Sequence, residues 1–143
     1  MSRLLTYLTF NGNCREAMTF YHTCFGGEIQ FQTIGDSPLG SKLSSQMQQY
    51  ILQASISTDH FTLMGTDMVG EQGLVQGNAV SIWVECNSSS DIYSYYQKLA
   101  EKGNAYQPIE QTFSGALLGG LSDKFGKHWL LHCKNDSIQK PRL

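Results

Sequence analysis

Two stretches of this chain carry the same apolar stripe in the same setting. Ala17, Phe20, Tyr21 and Cys24 fall at i, i+3, i+4 and i+7 after Asn11-Gly12-Asn13, the spacing of one buried helix face. Ile92, Tyr95, Tyr96 and Leu99 repeat that spacing after the cap-forming cluster Asn87–Asp91. Gly26-Gly27 closes the first stripe and Gly103 the second, as glycine tolerates the left-handed closing residue of a helix. Phe20-Tyr21 and Tyr95-Tyr96 are 75 residues apart. A fixed offset of this kind predicts an internal duplication; the alternative is two unrelated strand–helix units that share a helical period.

The flanking segments read as strands. In the first half these are 4–10, 28–34, 50–58 and 60–66; in the second, 79–86, 105–113, 115–122 and 128–133. Pro108 places the strand over 105–113 at an edge or a bulge. Asn13 with Glu16 three residues on reads as a capping box for the first helix. Residues 35–48 read as a loop with one helical turn around 44–48. Each half therefore orders as βαβββ, an α+β class. The Gly-rich stretch 67–78 is the join. Module one covers about 3–67 and module two about 78–134, within a single domain of 1–143 that ends in a polar tail, 135–143.

Size and charge narrow the function. A chain of 143 residues is one ordinary domain with enough core to fold unaided. Ten Lys and Arg against twelve Asp and Glu give a net charge of −2, with no basic block, so no nucleic-acid footprint. No apolar run approaches a membrane span, and MSRLLTYLTF reads as a first strand rather than a signal peptide. Cys14, Cys24, Cys86 and Cys133 form no CxxC, which fits a reduced, cytoplasmic protein. Cys14 falls in a helix first turn, where a thiolate is favoured, yet no base lies near it in sequence.

The run YLTFNGNCREAMTFYHTCFGGE, together with FTLMGTD, AVSIWVEC and the Asp-x-Phe-Gly-x-x-Trp turn of SDKFGKHW, resembles the PhnB-like branch of the vicinal oxygen chelate superfamily. That branch is also called demethylubiquinone methyltransferase-like or glyoxalase/bleomycin resistance-like. The resemblance spans nearly all of 4–134. It implies two βαβββ modules forming a cupped, mostly antiparallel eight-stranded sheet, a small molecule held in the cup, and a homodimer. No GxGxG-type loop follows a strand to cradle an adenosyl cofactor.

Metal-using members of that superfamily carry four ligands on the first and last strand of each module. Counted onto this chain, those positions are Thr6, Met64, Ser81 and Leu130. Hydroxyls are weak ligands, and Met and Leu cannot serve a hard cation. The chain is thus expected to use no metal and no cofactor. Strand parity then sorts the rest. Val80, Ile82 and Val84, and Trp129, Leu131 and Cys133, are helix-facing. Trp83, Glu85, His60, His128, Leu130 and His132 belong to the mixed face expected to line the cup.

Three readings follow. One is a metal-free protein that binds a small organic molecule through Thr6, Met64, Ser81, Trp83, Glu85, His128, Leu130 and His132. Another is a lyase, isomerase or dioxygenase with a non-standard site, such as a displaced ion among His60, His128 and His132 or an acid/base pair of Glu85 with His132. The third is a scaffold with a filled cup. The strand-end positions of His60 and His128 equally suit solvated surface groups. The sequence does not decide between binding and turnover.

Overall fold

The computed structural model describes residues 1–38 and 40–135, and they divide into two compact units, Met1–Val75 and Gln76–Leu143. In the first, β1 (Thr6–Thr9), α1 (Cys14–Phe25), β2 (Glu28–Thr33), β3 (Ile51–Ser57) and β4 (Thr62–Thr66) follow in order, with two 3-10 turns and the short α2 (Ser45–Gln48) between β2 and β3. In the second, β5 (Ile82–Cys86), α3 (Ser89–Ala100), β6 (Asn104–Gln111), β7 (Leu117–Ser122) and β8 (His128–Cys133) repeat the plan. The eight strands form two separate four-stranded sheets, ordered β1-β4-β3-β2 and β5-β8-β7-β6. Each sheet is mixed: β1 with β4 and β5 with β8 are parallel, the other pairs antiparallel.

The duplicated stripes become matching helices. Both α1 and α3 have 12 residues. Of those stripes, Ala17, Tyr21, Ile92 and Leu99 are buried completely; burial of an Ile or Leu side chain is worth roughly 1.5–3 kcal/mol. Gly27 and Gly103 hold equivalent places. At Gly27, φ is +93° and a Cβ would lie 2.7 Å from the Ser57 carbonyl oxygen. At Gly103 a Cβ would strike the Ser122 carbonyl, while the left-handed residue closing α3 is Lys102, at φ 60°. Gly103 is thus set by close approach rather than by helix closure.

The two N-termini are capped differently. Ser88 Oγ accepts from the Asp91 N–H at 3.1 Å, an ordinary side-chain cap. The expected Asn13–Glu16 box does not form: the Asn13 side chain makes no cap bond. Asp67, beyond the end of β4, takes its place. Its Oδ1 accepts from the N–H groups of Gly12 and Cys14, each at 2.9 Å, and its Oδ2 from Ile51 N–H at 2.8 Å. The Asp67 N–H in turn donates to the Ile51 carbonyl at 2.8 Å. One buried carboxylate thereby ties the β1–α1 turn and the start of β3 to the end of β4, and its charge suits the positive end of α1.

β6 is an edge strand whose register shifts twice, between Asn104 and Gln107 and between Gln107 and Glu110, around Pro108 as the missing N–H requires. The Tyr96 hydroxyl reaches from α3 to the carbonyls of Gln107 and Gly120, both at 2.9 Å. Residues 136–143, most of the anticipated tail, lie outside the described residues. Asn135, assigned to that tail, is buried instead, its Nδ2 donating to the Ser114 carbonyl at 3.4 Å.

Asp67→Asn removes one anionic acceptor and turns an amide N–H₂ toward backbone donors. A loss of roughly 1.5–3 kcal/mol is expected, measured as a lower urea midpoint with an unchanged slope.

Candidate functional site

Parallel pairing of β5 with β8 sets Ile82 opposite Trp129, Trp83 opposite Leu130, Val84 opposite Leu131 and Glu85 opposite His132. Opposed residues share a face, and successive residues alternate. Trp129, Leu131 and Cys133 are buried on the side where Gly119 abuts Tyr96 of α3. Trp83, Glu85, Leu130 and His132 therefore stand on the face turned away from the helix. Trp83 stays 53 % exposed there, whereas Trp129 is buried and donates its Nε1–H to Asp123 Oδ2 at 2.8 Å.

Three of these side chains are joined. Trp83 Nε1–H donates to Glu85 Oε1 at 3.0 Å. His132 Nδ1 lies 3.0 Å from Glu85 Oε1 and 2.9 Å from Oε2. A carboxylate only accepts, so Nδ1 is the protonated nitrogen and Nε2 is left for another partner. The Trp83 and His132 rings lie 5.0 Å apart at 33°. Burial pushes the Glu85 carboxyl up, but the hydrogen bonds from Trp83 and His132 and the charges of His132 and Lys134 outweigh it and hold it below the usual carboxylate range. The result is an exposed indole and an imidazole steered by one carboxylate.

The other predicted residues fall outside this cluster. Leu130 sits in register between Trp83 and Gly120. His128 shares the face, but its Nε2 lies 3.2 Å from the Gly77 carbonyl, to which it can donate. Ser81 is exposed and precedes β5. His60 is exposed in the turn before β4, its backbone N–H donating to Thr58 Oγ1 at 3.1 Å.

Thr6 and Met64 do not share a face of their sheet, contrary to the count from sequence. The register sets Thr6 against Leu63 and Tyr7 against Met64. Thr6 therefore lies on the α1 side, with Leu63 and Gly65; a Cβ on Gly65 would lie 3.0 Å from Met18 Sδ. The run LLTYLTF has no polar–apolar alternation to fix its parity.

Nucleophilic chemistry at cysteine is not set up. Cys86 follows Glu85 but turns to the helix side. Burial first, then Cys133, Asp91 and Glu85, push its thiol up to about 12, which leaves little thiolate at neutral pH. Cys14 is fully buried. Among the described residues no group of three or more His, Cys, Asp or Glu is placed to hold a metal ion. The donor set does not fit a divalent cation even with Tyr7 in place of Thr6.

One feature escaped sequence reasoning. A cavity of about 530 Å³ lies in module one, lined by Arg15, Thr33, Asp36, Ser45, Gln48 and Gln49 among others. Its sequence signal is diffuse, polar residues of a loop together with one arginine from the solvent side of a helix.

The Glu85 bond has a pH signature. A carboxyl lowered on folding contributes stability that is present above its unfolded value, near 4.5, and is lost as pH falls through the lower folded value. The stability gap between the native chain and Glu85→Gln is expected to be full at neutral pH and to close in acid. Thermal melts across that range check it; a gap independent of pH overturns it.

The model of the 3-demethylubiquinone-9 3-methyltransferase family matches residues 2–132. Protein YjdN of Escherichia coli (strain K12) is 23% identical over 137 residues, covering 90% of this chain and 93% of that protein. The crystal structure of protein PA1353 from Pseudomonas aeruginosa aligns with a TM-score of 0.83 at 30% identity, over 94% of this chain and 98% of that one. A glyoxalase-related enzyme from Fulvimarina pelagi, 13% identical, aligns with a TM-score of 0.61 over 94% of this chain and 89% of its own, a likeness of fold. The family's name implies an adenosyl methyl donor. Cradles for such nucleotides use a Gly-rich strand-to-helix turn with free backbone N–H groups. Here the turns are Phe10–Asn13, whose single glycine gives its N–H to Asp67, and Asn87-Ser88, which has no glycine. These turns do not fit the group. With the glyoxalase/bleomycin resistance fold in both modules, the chain belongs to the 3-demethylubiquinone-9 3-methyltransferase family.

Proposed function

We propose that module two binds a small, flat organic molecule against Trp83 and His132, anchored by the Glu85–His132 pair and without a metal ion. The observation that carries this reading is the fixed, exposed indole: Trp83 is half exposed, yet its Nε1–H is held by Glu85. An immobilised ring offers contact area without the entropy cost of freezing a mobile one. His132 adds a second ring edge and a free Nε2, so the ligand class is an aromatic or dicarbonyl compound with a hydrogen-bonding group at one end. The lack of hard-cation ligands at the counted positions supports the metal-free part.

A second reading, favoured by the two bonds from Nδ1 to Glu85, is proton transfer. A carboxylate on Nδ1 orients the ring and fixes the tautomer that leaves Nε2 to face a ligand. That suits a lyase or isomerase that takes a proton from a bound carbon or hydroxyl and returns it to another atom of the same molecule.

The same reading makes the chain a cytoplasmic homodimer. Four buried cysteines with no CxxC pair support the reducing compartment. Within module two, the exposed side chains of Val80 and Phe113 are apolar area that a partner could cover.

Tryptophan fluorescence titrated with a panel of small aromatic and dicarbonyl compounds tests the proposal. Quenching by at least one compound is expected, with affinity falling up to about tenfold in Trp83→Ala and unchanged after dialysis against a chelator. Affinity left unchanged by Trp83→Ala, or binding that a chelator abolishes, overturns it. For proton transfer, exchange of a ligand proton with deuterated solvent should stop in His132→Gln and slow in Glu85→Gln.

A further inference from the structure

The cavity of module one is chemically unlike the Trp83 face. Its volume, about 530 Å³, lies in the range of small-molecule sites. The side chains that line it are polar, so an apolar ligand gains little there, and a polar one must meet its charges.

Those charges are one of each sign. Arg15 projects from the first turn of α1, and its guanidinium lies over the Phe31 ring at 4.6 Å from the centroid. The ring occupies the guanidinium's flat face and leaves the edge N–H groups, which are the donors that grip a carboxylate in pairs. Asp36 is tethered differently: its Oδ2 accepts from the Thr33 N–H at 3.1 Å, which leaves Oδ1 as an acceptor. Among the described residues neither Arg15 nor Asp36 enters an ion pair, with the other or with any third group. Opposite charges that line one cavity and are each held by a different neighbour are complementary to a ligand that carries both charges.

The surround is built rather than loose. Gly35, also in the lining, packs so closely on the next segment that a Cβ would lie 3.0 Å from the Gln48 carbonyl oxygen. Gln48 Nε2 is anchored on the Leu43 carbonyl at 2.9 Å, so the amide's orientation is set with its oxygen unspent. The side chains of Thr33, Ser45 and Gln49 add further hydrogen-bonding groups.

We propose that this cavity is a binding site for a free amino acid, its carboxylate on Arg15 and its ammonium on Asp36, with the polar amides receiving a polar side chain. A keto or hydroxy acid would leave Asp36 facing no cation, and a simple amine would leave Arg15 unmatched. The site is independent of the Trp83 face, and its failure would leave that reading intact.

The test uses the full chain. Ligand-observed NMR against the proteinogenic amino acids, with β-alanine and γ-aminobutyrate to vary the charge separation, identifies the best binder. Calorimetry then compares it with its N-acetyl and carboxamide forms. Each derivative loses one charge-assisted contact, so affinity should fall about ten- to a hundredfold. Arg15→Ala should weaken the parent amino acid by a similar factor and become indifferent to amidation. Asp36→Asn should become indifferent to acetylation. Circular dichroism confirms that both variants fold, and Arg15→Lys serves as the milder substitute if Arg15→Ala does not. Absence of binding by every amino acid, or binding that ignores acetylation and both substitutions, overturns the proposal.

Discussion

Everything chemical in module two depends on the register of β5 against β8. Parallel pairing sets Glu85 directly opposite His132 and Val84 opposite Leu131. Because side chains alternate, the same register sends Leu131, Trp129 and Cys133 to the helix and Glu85, Trp83 and His132 to the open face. A slip of one residue would bury a carboxylate and an imidazole and expose the apolar set. The apolar core therefore enforces the site, since the cost of exposing Leu131 and Trp129 opposes every other alignment.

A second constraint runs through both modules, the closing of chain turns by polar side chains. Asp67 gathers three backbone N–H groups in module one. Asn135, which follows β8 as Asp67 follows β4, reaches the turn before β7, as Asp67 reaches the start of β3. Thr58 and Asp123 do the corresponding work between the last two strands of each module, accepting from His60 and Phe61 N–H and from Phe125 and Lys127 N–H respectively. The duplication is thus visible in how the turns are tied as well as in helix spacing, although the residue types differ.

What was legible from sequence follows from how local each signal is. The helix stripes and the strand over His128–Cys133 are set by neighbours a few positions away, and both appear where the period places them. Pro108 marks an edge strand because its missing N–H is a local fact. The pairing of Glu85 with His132 was a candidate on parity alone. Its closure by Trp83 depends on a rotamer, which strand parity does not specify. The cap of α1 is not legible locally because its partner, Asp67, lies more than fifty residues away, and no local pattern announces it. The face of Thr6 is not legible either, because β1 lacks alternation and takes its parity from β4.

The two modules differ most in the connection between their second and third strands. In module two residues 112–116 make a tight turn, with Thr112 N–H donating to the Ala116 carbonyl and Gly115 N–H to Thr112. In module one residues 34–50 fill the same place with two 3-10 turns and α2. A short turn has no room to wall a cavity; the longer one brings Asp36, Ser45 and Gln48 to the side of Arg15. Loop closure grows only slowly more costly with length, about 0.6 kcal/mol per doubling, so an insertion of this kind is tolerated by the scaffold. Two copies of one plan that differ in this connection therefore carry different surfaces: an exposed indole beside a half-buried imidazole on module two, and a polar cavity with one charge of each sign on module one.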